Sequence, residues 1–275
     1  MSSTRSSMFN AKSKRCINIA LDLGVFGDRA FSKGIEDLSV ALPAILAGKP
    51  DVIQLNPGGL KIFNKLKIKS KVAIALRLDV TNVYEPRDIE YAWDRADIAS
   101  LDLAKGNQIA CVVLNLLNVD ENSRLQEQCI QNIQVVAAKA HKLKIPLMVE
   151  PLVMTAKPGA GSTSVGDVNK ITGLVRQAVE LGADIIKVDA TTPMTDFHQV
   201  VQFASGMPVL VRGGGQVTPK ELLERTKIAI DSGARGVVYG RNVVQHPNPA
   251  KFIRAIGAIV HHEASVDDAM KILEK

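Results

Sequence analysis

The stretch Leu181-Gly182-Ala183-Asp184-Ile185-Ile186-Lys187-Val188-Asp189 joins the end of an amphipathic segment to a short aliphatic run through a single glycine. Glycine ends a helix in a left-handed turn without steric cost, so the stretch reads as a helix exit followed at once by a strand. Ser232-Gly233-Ala234-Arg235 and Ala204-Ser205-Gly206 repeat the same design. Outward from these exits, strand patterns fall over 17–22, 52–56, 72–78, 109–115, 146–150, 184–189, 208–212 and 236–240. Helical patterns over 121–142, 167–181, 195–203, 219–232 and 249–261 separate many of them. Such βα units, spaced roughly 20–40 residues apart, require right-handed crossovers and a parallel sheet. Eight of them in about 250 residues match the size of a closed (β/α)8 barrel. The rival is a doubly wound open sheet, which often carries Gly-x-Gly-x-x-Gly after its first strand. Here that turn reads Leu23-Gly24-Val25-Phe26-Gly27, which does not fit. The expected fold is therefore α/β, a single TIM barrel over 16–275 with an extra C-terminal helix, preceded by a basic, flexible leader over 1–15.

Composition removes several classes. The 275 residues carry 34 Lys+Arg against 28 Asp+Glu, a formal net charge of +6, with 46% hydrophobic and 4% aromatic residues. Arg5, Lys12, Lys14 and Arg15 supply four of those six charges, so the rest keeps an ordinary +2. With no basic runs interleaved with aromatics, nucleic-acid binding is not expected. No uncharged apolar run is long enough for a transmembrane helix. The Ser-rich leader lacks the apolar core of a secretory signal. Cys16, Cys111 and Cys129 are odd in number and lack metal spacing, which suggests reduced thiols in the cytoplasm.

In a barrel, chemistry gathers at the C-terminal ends of the strands. Those ends hold Asp22, Asn56, Asp79, Asn115, Glu150, Lys187 with Asp189, Arg212-Gly213-Gly214-Gly215, and Gly240-Arg241. Period-two alternation puts Ile186 and Val188 on the helix-covered face and turns Lys187 into the barrel. A desolvated lysine there tends toward the neutral amine that attacks a ketone. A lysine snorkelling from a strand end, or a structural Lys–Asp pair, accounts for the local sequence equally well. Glu150 precedes Pro151, which is expected to stop the strand and hold the carboxylate at the rim beside Lys187. Asp22 can bond substrate hydroxyls or act as a second acid/base; for either acid, an ion-pair role stays open. Gly213, Gly214 and Gly215, with Gly240 and Arg241, end the last two strands, where barrels often bind phosphate. His261 and His262 read as solvated surface and Cys111 as core. The aromatic segment 84–93 reads either as a loop over the mouth or as packing beneath one.

Together these residues resemble the class I (Schiff-base) aldolases of the archaeal-type fructose-bisphosphate and tagatose-bisphosphate group. The resemblance spans most of 16–262 and is tightest from Asp184 to Arg241 and in Gly240-Arg241-Asn242-Val243-Val244-Gln245-His246-Pro247. It implies a barrel enzyme without metal, a homo-oligomer, and an imine between Lys187 and a phosphorylated ketose or phosphoketone. Asp22 would then assist acid/base chemistry, and the triple-glycine turn with Arg241 would hold phosphate. Three positions depart from the fructose-bisphosphate branch. Leu23 replaces a common His, Glu150-Pro151 stands where a Tyr acid is usual, and Arg212 precedes the glycines in place of Ser. The stretch Ala258-Ile259-Val260-His261-His262-Glu263-Ala264-Ser265 is similar to the branch that processes the autoinducer-2 phosphate. Acyl transfer from a phosphoketone, and a catalytically silent phosphate-ligand sensor, are the alternatives to an aldolase.

Overall fold

Eight parallel strands close on themselves in the computed structural model, which describes residues 8–86, 88–104, 108–120, 122–157 and 161–274. Seven leader residues including Arg5, Arg87 of the aromatic segment, Glu121 at one expected helix start, and Lys275 lie outside the described residues. The barrel strands are β1 (Cys16–Ala20), β2 (Val52–Leu55), β3 (Ala73–Arg77), β6 (Ile109–Val119), β7 (Leu147–Lys157), β9 (Ile185–Val188), β10 (Val209–Arg212) and β11 (Gly236–Tyr239). Each pairs in parallel with the next, and β11 pairs with β1 to complete the ring. The expected single barrel is the fold observed. A small antiparallel hairpin, β4 (Asp79–Thr81) with β5 (Asp94–Ala96), fills the connection after β3.

The helices fall where the periodicity put them. In chain order they are α1 (Leu38–Leu46), α2 (Pro57–Lys65), α3 (Ser123–Lys142), α4 (Val168–Glu180), α5 (Phe197–Phe203), α6 (Pro219–Asp231), α7 (Arg241–Val244), α8 (Pro249–His262) and α9 (Val266–Glu274). The last is the extra C-terminal helix, packed on α8 and α6. The exits at Gly182, Gly206 and Gly233 have φ of +98°, +83° and +99°, the left-handed geometry that the glycines announce.

Alternation along each strand sorts the core into two layers. Outward residues such as Ile17, Ile19, Ile186 and Val188 join the helices in one apolar cluster. Inward residues at the N-terminal end are small or slender: Cys16, Ala20, Ala73, Ala75, Ala110, Cys111 and Leu210. That floor is closed by Met8, fully buried among them. The leader is thus packed from Met8 onward. Ser13 Oγ lies 2.8 Å from His261 Nδ1, and Arg15 donates to the Val260 carbonyl at 3.1 Å. His261, expected at the surface, instead ties the leader down and contacts Asp51 at 3.0 Å. Burying a methionine contributes roughly 1.5–3 kcal/mol, enough to hold a short segment against a barrel end.

A second difference concerns Pro151. The strand does not stop there but runs on as β7 to Lys157, still pairing with β6 and then with antiparallel β8 (Gly161–Ser164). Proline lacks an N–H, and its position in the pleat faces β9, whose ladder with β7 ends at Val149–Ile186. No acceptor waits there, so proline is tolerated.

Candidate active site

The C-terminal ends of the strands carry a layer of buried charge above the apolar floor. Lys187 on β9 points inward, 5% exposed, and its Nζ lies 2.8 Å from Glu150 Oε2 on β7. Of the two structural alternatives for this lysine, snorkelling from the strand end is excluded by its burial. Its partner is Glu150, while Asp189 pairs with Arg212 Nη1 at 3.1 Å. Glu150 receives three cations: Lys187, Arg77 Nη2 in a very short contact, and Arg212 Nε at 3.3 Å. Burial by itself would raise the Glu150 carboxyl, but these three cations hold it down at about 2. Burial lowers the Lys187 amine from its ordinary value, against the pull of the Glu150 charge.

Arg77 is the hub. Fully sequestered on β3, it reaches Asp22 at 2.6 Å, Asp79 at 2.7 Å and Asn115 Oδ1 at 3.0 Å, besides Glu150. Asp22 also accepts from Gln54 Nε2 at 2.8 Å, so both of its bonds fall on Oδ2. Burial raises the Asp79 carboxyl in spite of Arg77. Burial raises Asp94 well above the carboxylate range, with Asp79 adding to the effect. Asp94 is held by Asn132 at 2.9 Å and Asn115 at 3.3 Å.

Strand-end reasoning missed Arg77, although its signal is present. In Val72-Ala73-Ile74-Ala75-Leu76-Arg77-Leu78 the period-two face of Ala73 and Ala75 is the interior, and Arg77 continues it. Tyr84 was also undervalued. It packs edge-on to Phe26 with ring centroids 4.8 Å apart, lies 5.2 Å from Phe31, and hydrogen-bonds Arg212. Tyr84, the first residue of the aromatic segment, therefore sits at the mouth.

A small pocket above Lys187 is lined by Arg212, Gly213, Gly214, Gly240 and Arg241, with Phe26 and Phe31 on its apolar side. Gly214 has φ +62°, a backbone that a larger residue adopts only under strain. Asn242 donates to the carbonyls of Gly213 and Gly215 at 3.3 and 3.1 Å, fixing the turn. Arg241 lies across the Phe31 ring at 4.5 Å and donates to the Gly214 carbonyl at 3.2 Å. The structure thus brings Lys187, Glu150, Gly213, Gly214, Gly240 and Arg241 together. Asp22 stands one step back, behind Arg77, and Gly215 lines an adjoining cleft. Among the described residues no group of three or more His, Cys, Asp or Glu is arranged to hold a metal ion. No described helix is long and apolar enough to cross a membrane.

A buried amine beside a carboxylate, open to a glycine-rich cationic pocket, suits covalent capture of a carbonyl on an anionic molecule. An uncharacterized aldolase of Saccharolobus solfataricus is 32% identical over 266 residues, 94% of each chain. A class 1 fructose-bisphosphate aldolase of Halobacterium salinarum is 38% identical over 135 residues, 49% of each. A 3-hydroxy-5-phosphonooxypentane-2,4-dione thiolase of Photorhabdus laumondii is 28% identical over 274 residues, covering 99% of this chain and 86% of that protein. The crystal structure of an archaeal fructose 1,6-bisphosphate aldolase shares the fold, with a TM-score of 0.73 at 22% identity over 94% of this chain and 99% of that one. The model of the DeoC/LacD family of aldolases matches residues 16–246, and the chain belongs to that family of class I, Schiff-base aldolases.

Proposed function

We propose that this aldolase makes or breaks a C–C bond in a phosphorylated ketose or phosphoketone through an imine on Lys187, without a metal ion. The observation that carries the reading is the buried Lys187 amine, 2.8 Å from Glu150, opening on the pocket of Gly213, Gly214, Gly240 and Arg241. The amine adds to the substrate carbonyl, and loss of water leaves a protonated imine, the electron sink for the reaction. The hydroxyl beyond the scissile bond gives its proton to a carboxylate, and the bonding pair flows to the imine nitrogen. The resulting enamine is protonated at carbon, and water releases the ketone and the free lysine. Glu150 is the proton carrier nearest Lys187. Asp22, with Oδ1 outside its bonds to Arg77 and Gln54, is the second acid/base. The glycine turns and Arg241 take the phosphate, whose binding energy positions the reacting carbon.

Borohydride reduction in the presence of dihydroxyacetone phosphate, followed by peptide mapping, tests this. A reduced adduct on Lys187, absent in Lys187→Met, is expected. Phosphate binding without any adduct would assign the chain to the silent-sensor alternative. Acyl transfer is the second reading, favoured by the similarity over nearly the whole chain to a protein named a thiolase. Product analysis with a thiol acceptor separates the two, since an acyl thioester forms only in that reaction. The three unbridged, buried cysteines fit a reducing compartment such as the cytoplasm. A homo-oligomer is expected in solution, to be checked by sedimentation velocity.

A further inference from the structure

The end of the barrel opposite the mouth carries a pattern that the imine chemistry does not use. Before β9, β10 and β11 the chain turns through Gly182, Gly206 and Gly233, all at positive φ. Before β1, β2 and β3 the same left-handed region is occupied by lysine: Lys14, Lys49 and Lys67 have φ of +57°, +59° and +51°. Lys144, before β7, makes a fourth at +57°. Of the six non-glycine residues at positive φ among the described residues, four are therefore lysines of this one end. Glycine takes that conformation without steric cost, whereas a residue with a Cβ is strained in it. Backbone strain that recurs at one face points to a use for the side chains that cause it.

Lys14, Lys49 and Lys67 are exposed, and Lys12, Lys69 and Lys71 stand exposed beside them in the same turns. The stretch 61–71 holds five lysines and no acid, more charge than the +2 of residues 16–275 together, so the rest of the barrel is net acidic. The one acid in the three turns, Asp51, is committed: it accepts from Ile17 N at 2.7 Å and meets His261 at 3.0 Å. Glu263, at the edge of the face, pairs with Arg15 at 3.1 Å. A cleft of about 370 Å³ brings the turns together, with Met8 and Phe9 of the leader along it beside Lys49 and Lys71.

We infer that this end of the barrel docks on an anionic lipid surface. Its charges are spread over separate turns of one barrel end, the arrangement that complements a plane of headgroups. Lysine is a compact point charge without the fork that clamps a single phosphate, and the arginine of these turns, Arg15, is bound to Glu263 and the Val260 carbonyl. Their aromatic residue, Phe9, is half-buried, which leaves no platform for stacked bases. A second copy meeting this face with its own would set lysine against lysine. The contact is peripheral, since no described helix is long and apolar enough to cross a bilayer, and it leaves the mouth turned toward water.

The test is sedimentation of the full chain with vesicles of equimolar phosphatidylserine and phosphatidylcholine, against vesicles of phosphatidylcholine alone. The wild type is expected to bind only the mixed vesicles, and less as salt rises. A lysine near such a surface is worth about fivefold in affinity, so the triple variant Lys14→Gly, Lys49→Gly, Lys67→Gly should bind about a hundredfold more weakly. Its urea midpoint should equal or exceed that of the wild type, because glycine relieves the three turns. The corresponding triple arginine variant should keep the binding. A lowered midpoint in the glycine variant would remove the strain argument. The charge is then judged on Lys12→Gln, Lys69→Gln, Lys71→Gln, residues without positive φ, which should lose about as much affinity. No binding to mixed vesicles at low salt, equal binding to both kinds of vesicle, or wild-type binding by the glutamine variant overturns the inference. Binding of oligouridylate without binding of vesicles overturns it too and gives the face to nucleic acid.

Discussion

Replacing Arg77 by methionine keeps the side chain's bulk and removes its charge from a site where three carboxylates converge. Asp22, Asp79 and Glu150 have side chains 2%, 0% and 4% exposed, so water cannot take over the role of the guanidinium. Coulomb attraction across about 4 Å is of order 4 kcal/mol per pair at an effective dielectric constant near 20. Three such terms exceed the net effect, because burying the guanidinium itself is costly. Removing one partner of a buried ion pair typically costs about 3–5 kcal/mol. That range is the expectation for Arg77→Met at pH 7, against a total stability of about 5–15 kcal/mol for a domain. The sign of the pH effect follows. Without Arg77, Asp79 loses its cation and its carboxyl, already raised by burial, rises further, whereas Glu150 keeps Lys187 and Arg212. The Asp79 penalty is complete above the raised pKa and shrinks as pH falls toward the unfolded value. Urea unfolding followed by circular dichroism at pH 7 and pH 5 measures this: the difference from wild type should be smaller at pH 5. A loss below about 1 kcal/mol at pH 7, or one that grows on acidification, would refute the reasoning that Arg77 neutralises ionised acids.

Glu150, depressed from 4.5 to about 2 in the folded state, adds stability that is present above pH 4.5 and lost as pH falls toward 2. The amount is about 3 kcal/mol, and an acid titration of Glu150→Gln should lack that part of the transition. Burial pushes the Cys111 thiol up to about 12, and Cys16 and Cys129 are buried as well, so a maleimide should label none of them until the protein unfolds. Met8→Ala should cost about 2–5 kcal/mol through the void it leaves at the barrel floor. A thermal melt identical to wild type would show that the leader does not close the barrel.

Much of this molecule was legible in its sequence because its signals are local. Glycine at 182, 206 and 233 marks helix exits that need positive φ, and alternation around Lys187 gives its inward direction without any knowledge of neighbouring strands. The convergence of Gly213, Gly214 and Arg241 follows from strand ends alone. What escaped depends on what lies across the barrel. Pro151 looked like a strand terminator because a missing N–H matters only if a partner waits there, and β9 ends too soon to supply one. Met8 sits in a Ser-rich basic leader, and nothing local shows that an apolar side chain is needed to fill a floor of alanines. Arg77 looked like an ordinary strand residue because its three acids come from the turn after β1, from β4 and from β7, between 2 and 73 positions away. Even Lys187 was ambiguous until the partner of its amine could be seen.

The charged layer is not symmetric around the mouth. Asp22 follows β1, Asp79, Asp94 and Glu150 come from β4, β5 and β7, and together they surround Arg77 on one side. Arg212, Arg241 and the glycine turn come from β10 and the segment after β11 on the other, with Lys187 between. The mouth thus carries an electric polarity transverse to the barrel axis. An anionic ligand is drawn toward one wall and turned so that its neutral, hydroxylated side faces the acids. In the proposed reaction, orientation is in this way separated from chemistry: the field aligns the molecule first, and Lys187 would meet a carbonyl already presented in one sense.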